Sequence, residues 1–419
     1  MTEQIKWILN QMPPGGDKYA SLMSPDSVAR ARAFHRSFPQ YAVTPLARLD
    51  GMAGRLGLGG LWVKDESRRF GLNAFKVLGG SFAMARYVAG ALGRDVSEMT
   101  YDYLTGEQCR KEFGQATFFT ATDGNHGRGV AWAARQLGQK AVIHMPKGTV
   151  RSRFENIARE GATVTVEEVN YDACVRMAAA EAAQTGRGVV IQDTAWEGYE
   201  EIPGWIMQGY GTMAQEAAEQ MGRAPTHVFL QAGVGSMAGA VAGYYVNLYP
   251  DAPPKIILLE ADAADCHYRS ALAGDGAPRT VGGDLDTIMA GLACGEPNPI
   301  SWDILRNHAA AFVSCPDWVS ARGMRMLAAP VKDDPAVTAG ESGAVGMGAV
   351  AAIMEDEAYR ELRSALELDG SSRVLLFSTE GDTDPERYRR IVWEGAWPSP
   401  YSSSRPAGRA LAPAEGLEG

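Results

Sequence analysis

The sequence predicts an α/β fold of mostly parallel sheets covered by helices on both faces. Short apolar runs recur along the chain, each followed by a glycine turn and then a helical pattern. Strand-like and helix-like segments alternate, the order that parallel pairing requires. With 419 residues, 46% of them hydrophobic and 21% charged, the chain can hold two domains or one large domain with an inserted lobe.

The elements follow one another in that pattern. "ATFFTATDGNHGRGVAWAARQLG" reads as a buried strand over 117–120, a glycine turn and an Ala-rich helix over 130–137. "KAVIHMP" reads as a strand, "VRSRFENIAREG" as a helix and "ATVTVEEV" as another strand. "THVFLQAGVGSMAGAVAGYY" and "PKIILLEADAADC" repeat the logic, and "SSRVLLFSTEGDTDPERYRRIV" closes the series, with "PERYRR" as a solvated helix. Residues 398–419 are rich in Pro, Ser, Ala and Gly, which predicts a disordered tail.

Bulk properties exclude several classes. A net charge of −10 argues against a nucleic-acid surface, which needs a basic stripe. No apolar run approaches the ~20 residues of a membrane span. The N-terminus has no basic start followed by an apolar block, so no signal peptide is expected. The five cysteines lack CxxC spacing, which points to a reducing compartment and hence the cytoplasm; whether Cys266 pairs with Cys294 stays open. The six histidines show no metal-binding spacing, so no catalytic metal is expected.

Several motifs can carry chemistry. A strand ends at Gln231, and Gly233-Val234-Gly235-Ser236-Met237 opens a helix whose free backbone N–H groups suit a phosphate dianion. Taken alone, the loop also fits a nicotinamide dinucleotide, its ribose held by the acids that end the next strand, "IILLEADAAD", or simple helix–strand packing. Lys76, after Phe75, is either a solvated helix-start residue or a buried amine able to condense with an aldehyde cofactor. Asp193 reads as a strand-end acid or as a cap. Glu341 in "AGESGAVGMGA" starts a helix and is placed near a cofactor ring or in a cap. His126 either stacks near a cofactor or makes a structural hydrogen bond in its turn.

The order of these motifs resembles the tryptophan-synthase-like (fold type II) pyridoxal-phosphate enzymes: the lysine after Asn-Ala-Phe, then "DGNHG", "GVGSMAG" and "FSTEGDTD". The resemblance runs from about residue 41 to 393. It implies two open, mostly parallel sheets, with a smaller lobe (74–198) inserted in a larger domain (1–73 and 199–397). It also implies a homodimer. Lys76 would hold the aldehyde of pyridoxal 5'-phosphate, and Asn125 would hydrogen-bond its 3-oxygen. Gly233, Val234, Gly235, Ser236 and Met237 would cradle the phosphate. Ser378, or next to it Thr379, would face the pyridine nitrogen. Two departures narrow the branch. Ala74 stands where many relatives carry Ser, and Asp123 stands where dehydratases place a Ser before Gly-Asn-His. Asp123 would repel a substrate carboxylate unless the side chain brings a cation, as the second ammonium of 2,3-diaminopropionate does. The implied reaction is its α,β-elimination to pyruvate and ammonia, with Asp123 and Asp193 as bases on opposite faces, one for each enantiomer. A serine/threonine dehydratase, a β-replacement synthase and, from a different class, a nicotinamide-dependent oxidoreductase are the rival readings.

Overall fold

The structure, a computed structural model, describes residues 4–122 and 124–400, without the side chain of Asp172. Its strands are β1 (Lys6–Leu9), β2 (Leu46–Arg48), β3 (Gly60–Asp65), β4 (Thr117–Ala121), β5 (Lys140–Met145), β6 (Thr163–Val166), β7 (Gly188–Val190), β8 (His227–Gln231), β9 (Lys255–Ala261), β10 (Ala309–Cys315) and β11 (Arg373–Ser378). They form two sheets. The seven-stranded sheet has the order β1-β10-β9-β8-β11-β3-β2, and the four-stranded sheet the order β6-β5-β4-β7. Every pairing within the smaller sheet is parallel. In the larger sheet only the outer strands, β1 on β10 and β2 on β3, run antiparallel.

The large sheet is buried on both faces, as a parallel sheet must be. Along β8, Val228 and Leu230 join one hydrophobic cluster while Phe229 joins the other. Along β9, Ile256 and Leu258 alternate in the same way with Ile257 and Leu259. Period-two geometry therefore converts one apolar run into two core faces. The expectations for 226–245, 254–266 and 371–392 are met: β8 ends at Gln231, and helices follow at Ser236–Leu248, Cys266–Ala273 and Pro385–Val392.

One boundary differs instructively. The helix expected over 130–137 runs from Asn125 to Gln136, so the glycine-rich turn is itself the first helical turn. Thr122 explains this, because its Oγ1 accepts the N–H groups of Gly124 (2.9 Å) and Gly127 (3.1 Å) and so caps the helix. At Gly127 a Cβ would sit 2.2 Å from Thr122 Cγ2, so the close turn requires glycine. Asp123 and the tail residues 401–419 lie outside the described residues.

Candidate active site

The residues singled out by sequence gather beyond the carboxyl ends of parallel strands, where open α/β sheets bind ligands. Lys76 follows β3, Asn125 follows β4, Asp193 follows β7, the glycine loop follows β8, and Ser378 ends β11. Asp193 is three residues past its strand rather than at its end, because β7 stops at Val190.

Lys76 stands at the start of the helix Val77–Leu92. The segment before it is pinned to the exit of β11. Ala74 bridges Glu380, the Phe75 N–H donates to the Thr379 carbonyl at 3.2 Å, and the Gly381 N–H donates to the Asn73 carbonyl at 3.0 Å. The Lys76 ammonium donates to Asp193 Oδ2 and lies 5.6 and 5.8 Å from the ring centres of Phe75 and Tyr210. Its side chain is 22% exposed and that of Asp193 5%. The Tyr210 hydroxyl donates to the same carboxylate at 3.2 Å, and His126 Nδ1 lies 3.8 Å away. Burial pushes the Asp193 carboxyl up, but Lys76, His126 and the two hydrogen bonds outweigh it and hold the group well below the usual carboxylate range. The Tyr210 hydroxyl is pushed well above its ordinary value by burial and by the Asp193 charge.

Asp193 also reaches the glycine loop. Its carbonyl accepts from Ser236 Oγ and, at 3.3 Å, from Asn298 Nδ2, which in turn donates to Ser236 Oγ at 2.8 Å. A continuous string therefore joins the lysine, the acid and the loop. His126 makes the structural bond of the two readings: its Nε2 meets the Ile191 carbonyl at 2.8 Å.

The loop has the form of an anion cradle. Gly235 has φ +96°, and a Cβ there would lie 2.6 Å from His267 Nε2 and 2.8 Å from Ser301 Oγ. A side chain would thus fill the cradle as well as strain it. The helix Ser236–Leu248 begins there and presents its first N–H groups without intrahelical partners. Beside it the buried His267 Nε2 has no hydrogen-bond partner among the described residues. These features fit a phosphate. Two acids at the end of β9 and just beyond it, Glu260 and Asp265, are already engaged and do not support the dinucleotide reading. Glu260 takes the N–H groups of His267 (2.9 Å) and Tyr268 (2.7 Å) as well as His267 Nδ1 (2.8 Å), while Asp265 takes Ser314 Oγ (2.8 Å) and Arg269 Nε (2.7 Å). Glu260, Cys266 and His267 form the group of metal-ligand type found among the described residues, and these same bonds engage the Glu260 oxygens. Cys266 and Cys294 are not joined by a disulfide; Cys266 Sγ lies 3.8 Å from the Cys294 carbonyl.

A second cluster lies across the exit of β11. Asn125 Nδ2 donates to Glu380 Oε2 at 2.5 Å, and the Ser342 N–H donates to Glu380 Oε1 at 3.0 Å. Glu341, first residue of the helix Glu341–Glu355, is buried, and its Oε1 has no hydrogen-bond partner among the described residues. Burial, and then the Glu380 charge, push its carboxyl up to about 7. Ser378 is fully buried, with Oγ 3.4 Å from the Glu380 carbonyl, and Thr379 Oγ1 accepts from Gln231 Nε2 at 3.0 Å. Sequence reasoning missed Tyr210, Glu380, Asn298 and His267. The "TEG" run after "LLFS" was the one available signal, for Glu380.

Residues 38–380 match the family described as pyridoxal-phosphate dependent enzymes, and the chain belongs to that family. Within it, the chain is 50% identical over 403 residues to the diaminopropionate ammonia-lyase of Salmonella typhimurium, covering 94% of this chain and 99% of that one. The crystal structure of diaminopropionate ammonia lyase from Escherichia coli in complex with D-serine superimposes with a TM-score of 0.87 at 48% identity, covering 94% and 98% of the two chains. The same E. coli enzyme in complex with an aminoacrylate-PLP azomethine reaction intermediate gives 0.85 at 48% identity over the same shares. The resemblance read from four motifs is borne out.

Proposed function

We propose that this chain eliminates ammonia from 2,3-diaminopropionate with pyridoxal 5'-phosphate as cofactor, and that water hydrolyses the released unsaturated amine to pyruvate and a second ammonia. The observation that carries the reading is the string from Lys76 through Asp193 to Ser236, which couples an amine, an acid and an anion cradle. Identity of 50% to a diaminopropionate ammonia-lyase over nearly the whole chain supports the substrate.

Bound pyridoxal phosphate supplies a ring that withdraws the electron pair left when a Cα–H bond breaks. Lys76 would hold its aldehyde carbon, with Phe75 beside it. Gly233, Val234, Gly235, Ser236 and Met237 would hold its phosphate, Asn125 its 3-oxygen, and Ser378 or Thr379 its ring nitrogen. The chain's own groups manage the protons. In the state described, the proton between Lys76 and Asp193 belongs to the amine, so Asp193 is a poor base. With Lys76 neutral, the main force holding Asp193 down is gone, and burial makes the same carboxylate a competent base. Tyr210 and His126 keep it oriented. Asp123 is proposed as the second base, acting on the opposite enantiomer.

We also propose the lobe division 1–73 with 199–397 against 74–198, a homodimer and a cytoplasmic location. The described residues contain no helix long and apolar enough to cross a membrane. The test is to add D- and L-diaminopropionate, serine and threonine separately to the cofactor-loaded protein while recording absorbance and pyruvate. Pyruvate from diaminopropionate, with serine far slower, is expected. Serine or threonine as the better substrate would make it a dehydratase.

A further inference from the structure

We propose that Glu380 is a positioning residue for Asn125, fixing which way its amide faces the bound cofactor, and that Glu341 is the neighbour whose proton governs that hold. The proposal rests on the cofactor reading above and assigns two carboxyl groups that it leaves without a role.

The argument starts from donor and acceptor chemistry. An asparagine amide has a donor end and an acceptor end of nearly the same shape, so packing alone does not choose between its two orientations. An ionised carboxylate accepts only. Glu380 Oε2 at 2.5 Å therefore selects the orientation that turns Nδ2 toward it, leaving the second N–H of Asn125 to donate elsewhere. The other Glu380 oxygen is occupied by the Ser342 N–H at 3.0 Å. The carboxylate is thus held between the starts of two helices, Asn125–Gln136 and Glu341–Glu355, both of which favour negative charge. Glu380 is itself anchored by its bridge to Ala74, two residues before Lys76, and by the Gly340 N–H on its carbonyl at 2.9 Å.

Glu341 lies beside this arrangement with one oxygen, Oε1, that has no hydrogen-bond partner among the described residues. The charged groups facing it are Glu380, Arg387 of the helix Pro385–Val392, whose Nε is 4.0 Å from Glu341 Oε1, and Arg153 of the helix Arg151–Ala158. Burial and then Glu380 outweigh both arginines, lifting the carboxyl from its ordinary 4.5 to about 7. Below that pH Glu341 is neutral and adds no charge beside Glu380. Above it Glu341 adds a negative charge next to Ser342, whose N–H holds Glu380, and the repulsion loosens the hold on Asn125.

The experiment uses the cofactor-loaded protein, with the visible band of the bound cofactor and its dissociation constant measured from pH 6 to 8.5. In the native protein, retention weakens and the band shifts with a midpoint near 7. Glu341→Gln removes that step and keeps the tight binding seen at low pH. Glu380→Gln, which can offer a donor to Asn125 and so lets the amide turn over, shifts the band at every pH. It also weakens cofactor retention by roughly tenfold, about the worth of one hydrogen bond. Melting of the cofactor-free proteins separates misfolding from mispositioning. A Glu380→Gln band and dissociation constant like the native ones overturn the positioning role. A native pH step that survives Glu341→Gln overturns the role of Glu341. A native protein that takes up no cofactor would fail the broader reading instead.

Discussion

Two lysines among the described residues pair with buried carboxylates, and one of them is built to react. Lys64, on β3, is fully buried and donates to Glu216 Oε2 at 2.8 Å, the Thr44 carbonyl at 2.7 Å and Gln220 Oε1 at 2.8 Å. Its neighbour Arg69 forks onto Glu66 (2.8 and 2.8 Å) and Glu216 (3.0 and 2.7 Å), so two cations and two anions close on themselves. Lys76 instead meets Asp193 at the mouth of the sheets and keeps a fifth of its side chain accessible. A lysine with three fixed acceptors is a structural charge. One that shares its acid with a tyrosine and a histidine, on an accessible side, can change partners.

The largest effect that tests this contrast is Lys76→Ala. It should lower kcat at least ~10³-fold and abolish the cofactor's visible band, while the melting temperature of the cofactor-free protein moves little. Lys64→Met should do the reverse. By leaving Arg69 alone against the two buried carboxylates of Glu66 and Glu216, it should cost about 3–5 kcal/mol of stability in denaturant unfolding, with normal turnover in the fraction that stays folded. If both variants lose stability equally, the distinction collapses. Next in size, Asp193→Asn and Asp123→Asn should each lower turnover of one enantiomer of diaminopropionate by ~10²-fold or more and spare the other. Equal losses on both would remove the two-base reading. The smallest effect is Gly235→Ala. The left-handed backbone costs about 1–2 kcal/mol with a Cβ, and the cradle is narrowed, so cofactor affinity should fall about tenfold or more while the far-ultraviolet spectrum is unchanged.

The same contrast marks what was legible in the sequence. The glycine loop, the strand ending at Gln231 and the helix starting at Glu341 were readable because turn chemistry and short periodicity are local. Lys76 was readable by its place in a series of motifs, not by its surroundings. Tyr210 and Asn298 were invisible because they join the site through contacts over long sequence separations, such as Tyr210 to Asp193 and Asn298 to Ser236. Nor could spacing foretell that β1 and β2 flank the large sheet antiparallel, since that pairing brings together segments as remote as Trp7 and Val313. The early start of the 125–136 helix was missed for a local reason. Thr122 supplies a cap through its side chain where a glycine-rich run reads as an irregular turn.

Asp193 leaves the smaller sheet and is gripped twice: its carboxylate by Lys76 and Tyr210, its backbone carbonyl by Ser236 and Asn298. A nudge to either sheet is therefore felt at one shared staple. Whatever settles against the glycine loop meets Ser236, which also holds Asp193, so loosening the carbonyl grip alone, as Asn298→Ala would, should alter how the acid meets the lysine.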